Sequence, residues 1–270
     1  MLFLLSPAKT LDMSGGAQVM NSPILQTHAD YLAGLCKKFS KAELMKMSGT
    51  SEKIAAENLE RWKTFHSSSA KAAALAFDGP AFRGLDACKF SNAEKKYAHK
   101  NLRILSGLYG LLKAYDGIKP YRLEMGSKIK NKNGNDLYDY WGDKIASELL
   151  KEGGGSSTII INCASQEYAK SVLPHLKSAT VITCEFPGPA VYAKKARGMM
   201  CRYGAKNNCS KPEELKNFTG WGNDRYKFDA ANSTKVKFVF KRTSGAVKAN
   251  EHFKRASKAR AEELASRSPS

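Results

Sequence analysis

The chain has 270 residues, 42% hydrophobic and 10% aromatic, enough to bury a core as one large domain or two smaller ones and too apolar for wholesale disorder. Lys and Arg total 44 against 25 acidic residues, a net charge of +19. That excess points to a polyanionic partner, nucleic acid or an anionic membrane face, because neutralised phosphates release counterions.

Met1 to Leu5 is a short apolar run with no basic region before it, so it reads as a buried first strand and not as a signal peptide or membrane span. Ser6-Pro7-Ala8-Lys9-Thr10 follows as a turn. It leaves a hydroxyl and an ammonium just past a strand end, where ligands collect in α/β sheets; a solvated lysine in an ordinary turn is the plain alternative. Residues 24–47 carry apolar positions at helical period and predict two helices, and a third carries Ile54, Leu59, Trp62 and Phe65. The Gly49-centred turn between the last two resembles a helix-hairpin-helix over about 41–65. Backbone N–H groups near Gly49 and Ser51 could then receive a DNA phosphate, with Lys53 adding charge. Any two helices joined by a short turn would share this pattern.

Leu75 to Phe82 predicts a short strand or buried segment ended by Gly79-Pro80. Ser91 or Asn92 caps a helix through Tyr97 and His99, and Leu102 onward predicts a strand ending near Ser106, with Gly107 and Gly110 permitting a close turn. Pro120-Tyr121-Arg122-Leu123-Glu124-Met125-Gly126 predicts a short strand. Arg122 and Glu124, two residues apart, would face one way and wall a polar cleft while Leu123 turns inward; an ordinary surface ion pair is the alternative. Asn131 to Asp136 reads as a hairpin or loop, and one helix is expected from Leu137 through Leu149, with Trp141 packing or stacking on bases. Gly153-Gly154-Gly155-Ser156-Ser157 is a connector, either an internal boundary or a surface loop.

A β-branched run, Thr158 to Ile161, delivers Ser165, Glu167 and Tyr168 at its C-terminal end, a credible site location. Thr180 to Phe186 is another strand. Beyond Pro187-Gly188-Pro189, the segment Tyr192 to Met200 reads as a helix whose Lys194 and Arg197 share a face, with Lys195 and Tyr192 beside them for phosphate contact. Strands at 226–228 and 236–242 close the sheet, and residues 246–270, with six basic and three acidic residues, read as a basic tail. The six cysteines, at 36, 88, 163, 184, 201 and 209, form no Cys-x-x-Cys pair and the five histidines show no ligand spacing. Reduced thiols in a cytoplasmic protein, with neither a metal site nor a cofactor, are expected.

The motifs at 6–10, 105–110 (Leu-Ser-Gly-Leu-Tyr-Gly), 120–126, 140–143 (Tyr-Trp-Gly-Asp) and 192–198 occur in that order. Together, from Met1 to about Arg242, the chain resembles the YaaA family of peroxide-stress-resistance proteins. The resemblance implies a cytoplasmic α/β protein: a single compact mixed-sheet domain over residues 1–245, with surrounding helices, a helix-hairpin-helix insertion and a positively charged cleft, followed by the tail. It implies a protein that binds DNA and limits iron-dependent oxidative damage. The family's motif residues here would be Lys9, Arg122, Glu124, Ser165, Glu167, Tyr168, Lys194, Lys195 and Arg197.

Two functions compete. One is a monomeric, membrane-free DNA-binding protein that grips double-stranded or distorted DNA by backbone and shape, with Gly49, Ser51, Lys53 and Tyr192 joining the basic and polar motif residues. The other is a glycosylase- or lyase-like enzyme acting on a nucleic-acid base or nucleotide, with Glu124 or Glu167 as proton acceptor and Lys9 as an electrophilic or covalent group. Direct iron handling is the weakest reading, because no recognisable iron site is present.

Overall fold

Leu2, Phe3, Leu4 and Leu5 form β1 (Leu2–Leu5), and all four are buried, as a strand covered on both faces requires. The computed structural model describes residues 1–243, so the basic tail lies outside the described residues. A two-residue strand, β2 (Thr10–Leu11), precedes three helices, α1 (Gln26–Cys36), α2 (Lys41–Ser48) and α3 (Glu52–Lys63). Ser40 and Glu43 form a capping box at the start of α2, and Gly49 ends it with φ of +58°, a left-handed position that glycine adopts without steric cost.

Next come β3 (Lys71–Ala72), α4 (Ala73–Ala76), β4 (Phe77–Asp78) and α5 (Pro80–Leu85). The short strand or buried segment expected at Leu75 to Phe82 is therefore a two-residue strand between two helices. Pro80 takes the first helical position, where its missing N–H costs nothing, so Gly79-Pro80 opens a helix where it was expected to end a strand. Ser91 caps α6 (Asn92–Asn101), and β5 (Leu102–Ser106) ends where the sequence suggests before turning into β6 (Gly110–Lys113) and β7 (Gly117–Ile118).

The helix expected at 137–149 is two, α7 (Leu137–Trp141) and α8 (Lys144–Gly153), broken at Gly142, whose φ of +48° no continuous helix accommodates. The chain continues through β8 (Ile159–Cys163), α9 (Gln166–Ala169), β9 (Thr180–Glu185), α10 (Ala190–Lys206), β10 (Gly220–Trp221), β11 (Asp224–Phe228) and β12 (Lys237–Arg242).

Eight strands make one mixed sheet in the order β10-β11-β12-β9-β8-β1-β5-β6. β12, β9, β8, β1 and β5 run parallel, while β6 pairs antiparallel with β5 at one edge and, at the other, β11 pairs antiparallel with β12 and β10 antiparallel with β11. β5 and β8 both pair with β1, so the glycine-rich connector joins parts of one sheet. Helix α10 lies against α5 through two glycines. A Cβ on Gly198 would sit 1.7 Å from the Ala81 carbonyl oxygen, and one on Gly84 would sit 2.1 Å from that of Lys195. This close approach fixes the basic face of α10 beside the start of α5.

The segment 120–126 is not a strand. Tyr121, Leu123 and Met125 are buried and Arg122 and Glu124 are not fully so, which is the expected alternation, but the backbone pairs with no strand. Pro120 has no N–H to donate, and the Arg122 carbonyl accepts from Asn58 Nδ2 of α3 at 3.1 Å, so side-chain bonding replaces a ladder. No helix among the described residues is long and apolar enough to cross a membrane.

Candidate functional site

The parallel strands β1 and β8 end at Leu5 and Cys163, and the segments that leave them, 6–10 and 164–168, diverge around a cavity of about 260 Å3. This is the position that a parallel sheet offers to a ligand. Lys9 and Thr10 form one wall, Asp78 to Ala81 a second, Glu124 a third, Ser165, Glu167 and Tyr168 a fourth, and Lys194 and Arg197 of α10 a fifth. Five separate stretches of sequence thus meet in one space.

Glu124 is the centre of the charge arrangement. Its Oε1 lies 3.1 Å from Arg122 Nη2 and 3.3 Å from Lys9 Nζ, and its side chain is only 12% exposed whereas that of Lys9 is 65% exposed. Both carboxylate oxygens and Arg122 Nε are buried without a well-directed hydrogen bond. Buried polar atoms left in this state are costly and therefore rare, and a cavity beside them is where a ligand could satisfy them. Glu167 lines the cavity, and its Oε1 accepts from the Gly126 N–H at 3.0 Å. The Ser165 N–H donates to Ser6 Oγ at 2.8 Å, and Ser6 Oγ in turn donates to Ser165 Oγ at 3.2 Å, so the two strand exits are tied together. The Ser165 side chain does not cap α9. Tyr168 is buried, and that burial pushes its phenol well above its ordinary value, keeping it a neutral hydrogen-bonding group.

Other expected residues lie elsewhere. Lys195 turns away from the cavity and pairs with Asp224 at 2.8 Å, where Arg242 also pairs at 3.2 Å. One residue along a helix is a rotation of about 100°, so Lys194 and Lys195 cannot share a face. The Tyr192 ring lies under the Arg242 guanidinium, 3.9 Å from its centroid, outside the cavity lining. Gly49 and Ser51 in the turn between α2 and α3, and Lys53 in the first turn of α3, are exposed and none of them lines the cavity. The first turn of α3 carries Glu52, which is paired with Lys41.

Three contributors escape the sequence reading. Asp78 sits on β4 opposite Thr10 and is bonded to Arg83, and its placement before a Gly-Pro helix start was the available signal. Ser6 belongs to the turn whose hydroxyl the sequence marks past a strand end, but its bonds to Ser165 across the two strand exits had no sequence signal. Cys163 forms part of the cavity lining, and only its place at a buried strand end could have marked it. The lining carries Lys9, Lys194 and Arg197 against Asp78, Glu124 and Glu167, so the cavity is charge-mixed, with its lysines at the exposed rim and Glu124 deep. Among the described residues, no group of three or more His, Cys, Asp or Glu side chains is placed to hold a metal ion.

A family model described as peroxide stress protein YaaA matches residues 1–232. A UPF0246 protein of Burkholderia ambifaria is 38% identical over 262 residues, covering 91% of this chain and all of the relative. One from Burkholderia vietnamiensis is 39% identical over the same span, and one from Paraburkholderia phytofirmans is 38% identical over 260 residues, covering 90% of this chain and 98% of the relative.

Proposed function

The chain belongs to the YaaA family of peroxide stress proteins, and from that premise we propose that it serves the peroxide response by binding DNA through its backbone, seating one unpaired nucleotide in the cavity. The observation that carries this reading is the layering of charge in that cavity. Lys9 and Lys194 at the rim, with Arg197 beside them, suit a phosphate. The deep carboxylate of Glu124 suits the amino edge of a base, which donates hydrogen bonds, and a volume of about 260 Å3 admits a nucleotide but no duplex. The charge excess of the whole chain favours encounter with duplex at any sequence.

The test is fluorescence anisotropy with a labelled duplex carrying one extrahelical nucleotide, set against the intact duplex, across a salt series. Affinity should fall steeply with salt, with a log–log slope of about −3 if three cations meet phosphate. Lys194→Glu should weaken binding about tenfold whatever the sequence, and the extrahelical nucleotide should strengthen it. Absent or salt-insensitive binding would sink the proposal.

A second reading, catalysis on the seated base, is favoured by the Glu124 carboxylate, which lacks well-directed hydrogen bonds, beside the Lys9 ammonium. Glu124 would accept a proton and Lys9 would act as electrophile or nucleophile. Base release or strand cleavage by the wild type, lost in Lys9→Ala and Glu124→Gln with binding retained, would establish it. No product across a panel of damaged duplexes would count against it.

A further inference from the structure

The cavity lining includes one buried cysteine, and two more stand behind it. Cys163 ends β8 and contributes to the cavity lining. The parallel register pairs Asn162 with Thr183, so the next residues along, Cys163 and Cys184, are neighbours on adjacent strands and point to the same face. That face is covered by α10, whose Cys201 completes the group; Phe3, on the same face of β1, meets α10 at Gly204. Cys201 lies about one helical turn before Gly204, on the face of α10 that meets this side of the sheet. Adjacent strands hold paired Cα atoms at a spacing within the range that a disulfide spans.

We propose that Cys163 is a peroxide-oxidised thiol at the cavity floor, resolved to a disulfide by Cys184 or Cys201. In the first step the Cys163 thiolate attacks one oxygen of hydrogen peroxide. An S–O bond forms, the O–O bond breaks, and the departing hydroxide takes up a proton to leave as water, with the sulfur oxidised by two electrons to a sulfenic acid. In the second, the neighbouring thiol attacks that sulfur, the S–S bond forms and the S–O bond breaks. The proton of the attacking thiol leaves with the hydroxyl as a second water. Two thiols thus supply the two electrons that reduce one peroxide to two waters.

The other cysteines lack this combination. Cys36 is buried, and that burial pushes its thiol up to about 12. Cys209 is pushed up to about 11, again by burial first. Cys88 is exposed but bonds to the Asp86 carboxylate at 3.2 Å, which raises its thiol. For Cys163 the hydrogen bonds from Cys184 and Cys201 come first, and with the Arg197 charge they overcome burial and hold the thiol well below its usual value. Of the three clustered thiols Cys163 alone belongs to the cavity lining, so peroxide that enters the cavity meets it first, with Cys184 beside it on the next strand to resolve it. The inference does not depend on what the cavity binds.

The test uses the full reduced chain, a hydrogen peroxide titration, alkylation of the remaining thiols and peptide mass spectrometry. The wild type should form a Cys163–Cys184 or Cys163–Cys201 bond at a peroxide dose on the order of tenfold lower than that which oxidises Cys88. Cys184→Ser/Cys201→Ser should accumulate a dimedone adduct on Cys163, and Cys163→Ser should leave Cys184 and Cys201 reduced. If Cys88 reacts first and Cys163 remains fully alkylatable after unfolding, the proposal is overturned, and the wild-type measurement alone decides this even where a variant fails to fold.

Discussion

Two clusters in this protein, each built round a largely buried carboxylate, use the same residue types and treat them differently. At the far side of the sheet, Arg103 donates through Nε to Glu152 Oε2 at 2.6 Å and through Nη1 to the carbonyls of His99 and Leu102, while Lys113 pairs with Glu152 Oε1 at 3.0 Å. Both oxygens of Glu152 have partners, and burial, which alone would raise its carboxyl, is outweighed by Arg103 and Lys113 so that it lies below its ordinary value. In the cavity, Arg122, Lys9 and Glu124 form the same cation–carboxylate–cation group, yet both oxygens of Glu124 and Nε of Arg122 lack well-directed hydrogen bonds. A saturated network holds a fold together, whereas an unsaturated one beside a cavity keeps bonding capacity in reserve for a ligand.

The sharpest way to break that contrast is to neutralise each carboxylate in turn. Glu152→Gln leaves Arg103, 3% exposed, without its counter-charge and should cost about 3 kcal/mol of unfolding free energy in a urea titration, with no change in duplex binding. An intermediate effect is expected next to that cluster, at Asp116. Burial raises this carboxyl to about 6, although its Oδ2 accepts from the Lys113 N–H. Its folded value exceeds the unfolded one, so ionisation opposes folding: the group contributes nothing adverse below about pH 4 and becomes a growing liability as pH rises through 6. Asp116→Asn removes that liability. Its stability relative to wild type should gain about 2 kcal/mol between pH 4 and pH 8, read from urea midpoints, and a pH-independent difference would refute the assignment. Glu124→Gln should cost no more than about 1 kcal/mol, because few well-made bonds are lost, and yet should abolish the preference for an extrahelical nucleotide. If it destabilises as much as Glu152→Gln, the cavity group is structural and the contrast fails.

The saturated and unsaturated clusters also differ in how far the sequence discloses them. The central strands were legible because a strand buried on both faces must be a continuous apolar run, as at Leu2–Leu5 and Ile159–Cys163. Polar residues packed just past those runs, Lys9 and Ser165 to Tyr168, marked the cavity for the same reason. The alternation at 120–126 disclosed which side chains turn inward but not that the backbone pairs with no strand, since side-chain period carries no information about hydrogen-bond partners. Lys195 was grouped with Lys194 by proximity, and only the packing of α10 on α5 decides which of the two faces the cavity. The approach of Cys163 to Cys184 depends on strand register between segments 21 residues apart, which no local pattern specifies.

The smallest expected effect belongs to the α2–α3 turn, which the sequence marks as a phosphate site and the cavity geometry makes secondary. Gly49, Ser51 and Lys53 are exposed and lie outside the cavity lining, and Glu52 sets a carboxylate at the start of α3, where a phosphate would have to approach. The backbone N–H groups there still attract an anion, but the Glu52 carboxylate stands beside them and already holds the nearby Lys41 ammonium. Lys53→Glu should therefore weaken duplex binding only about two- to threefold, against about tenfold for Lys194→Glu, and should leave the preference for an extrahelical nucleotide intact. An effect of Lys53→Glu equal to or larger than that of Lys194→Glu would make the turn the principal DNA contact and the cavity an independent site, which anisotropy titrations of the two variants on one duplex would reveal directly.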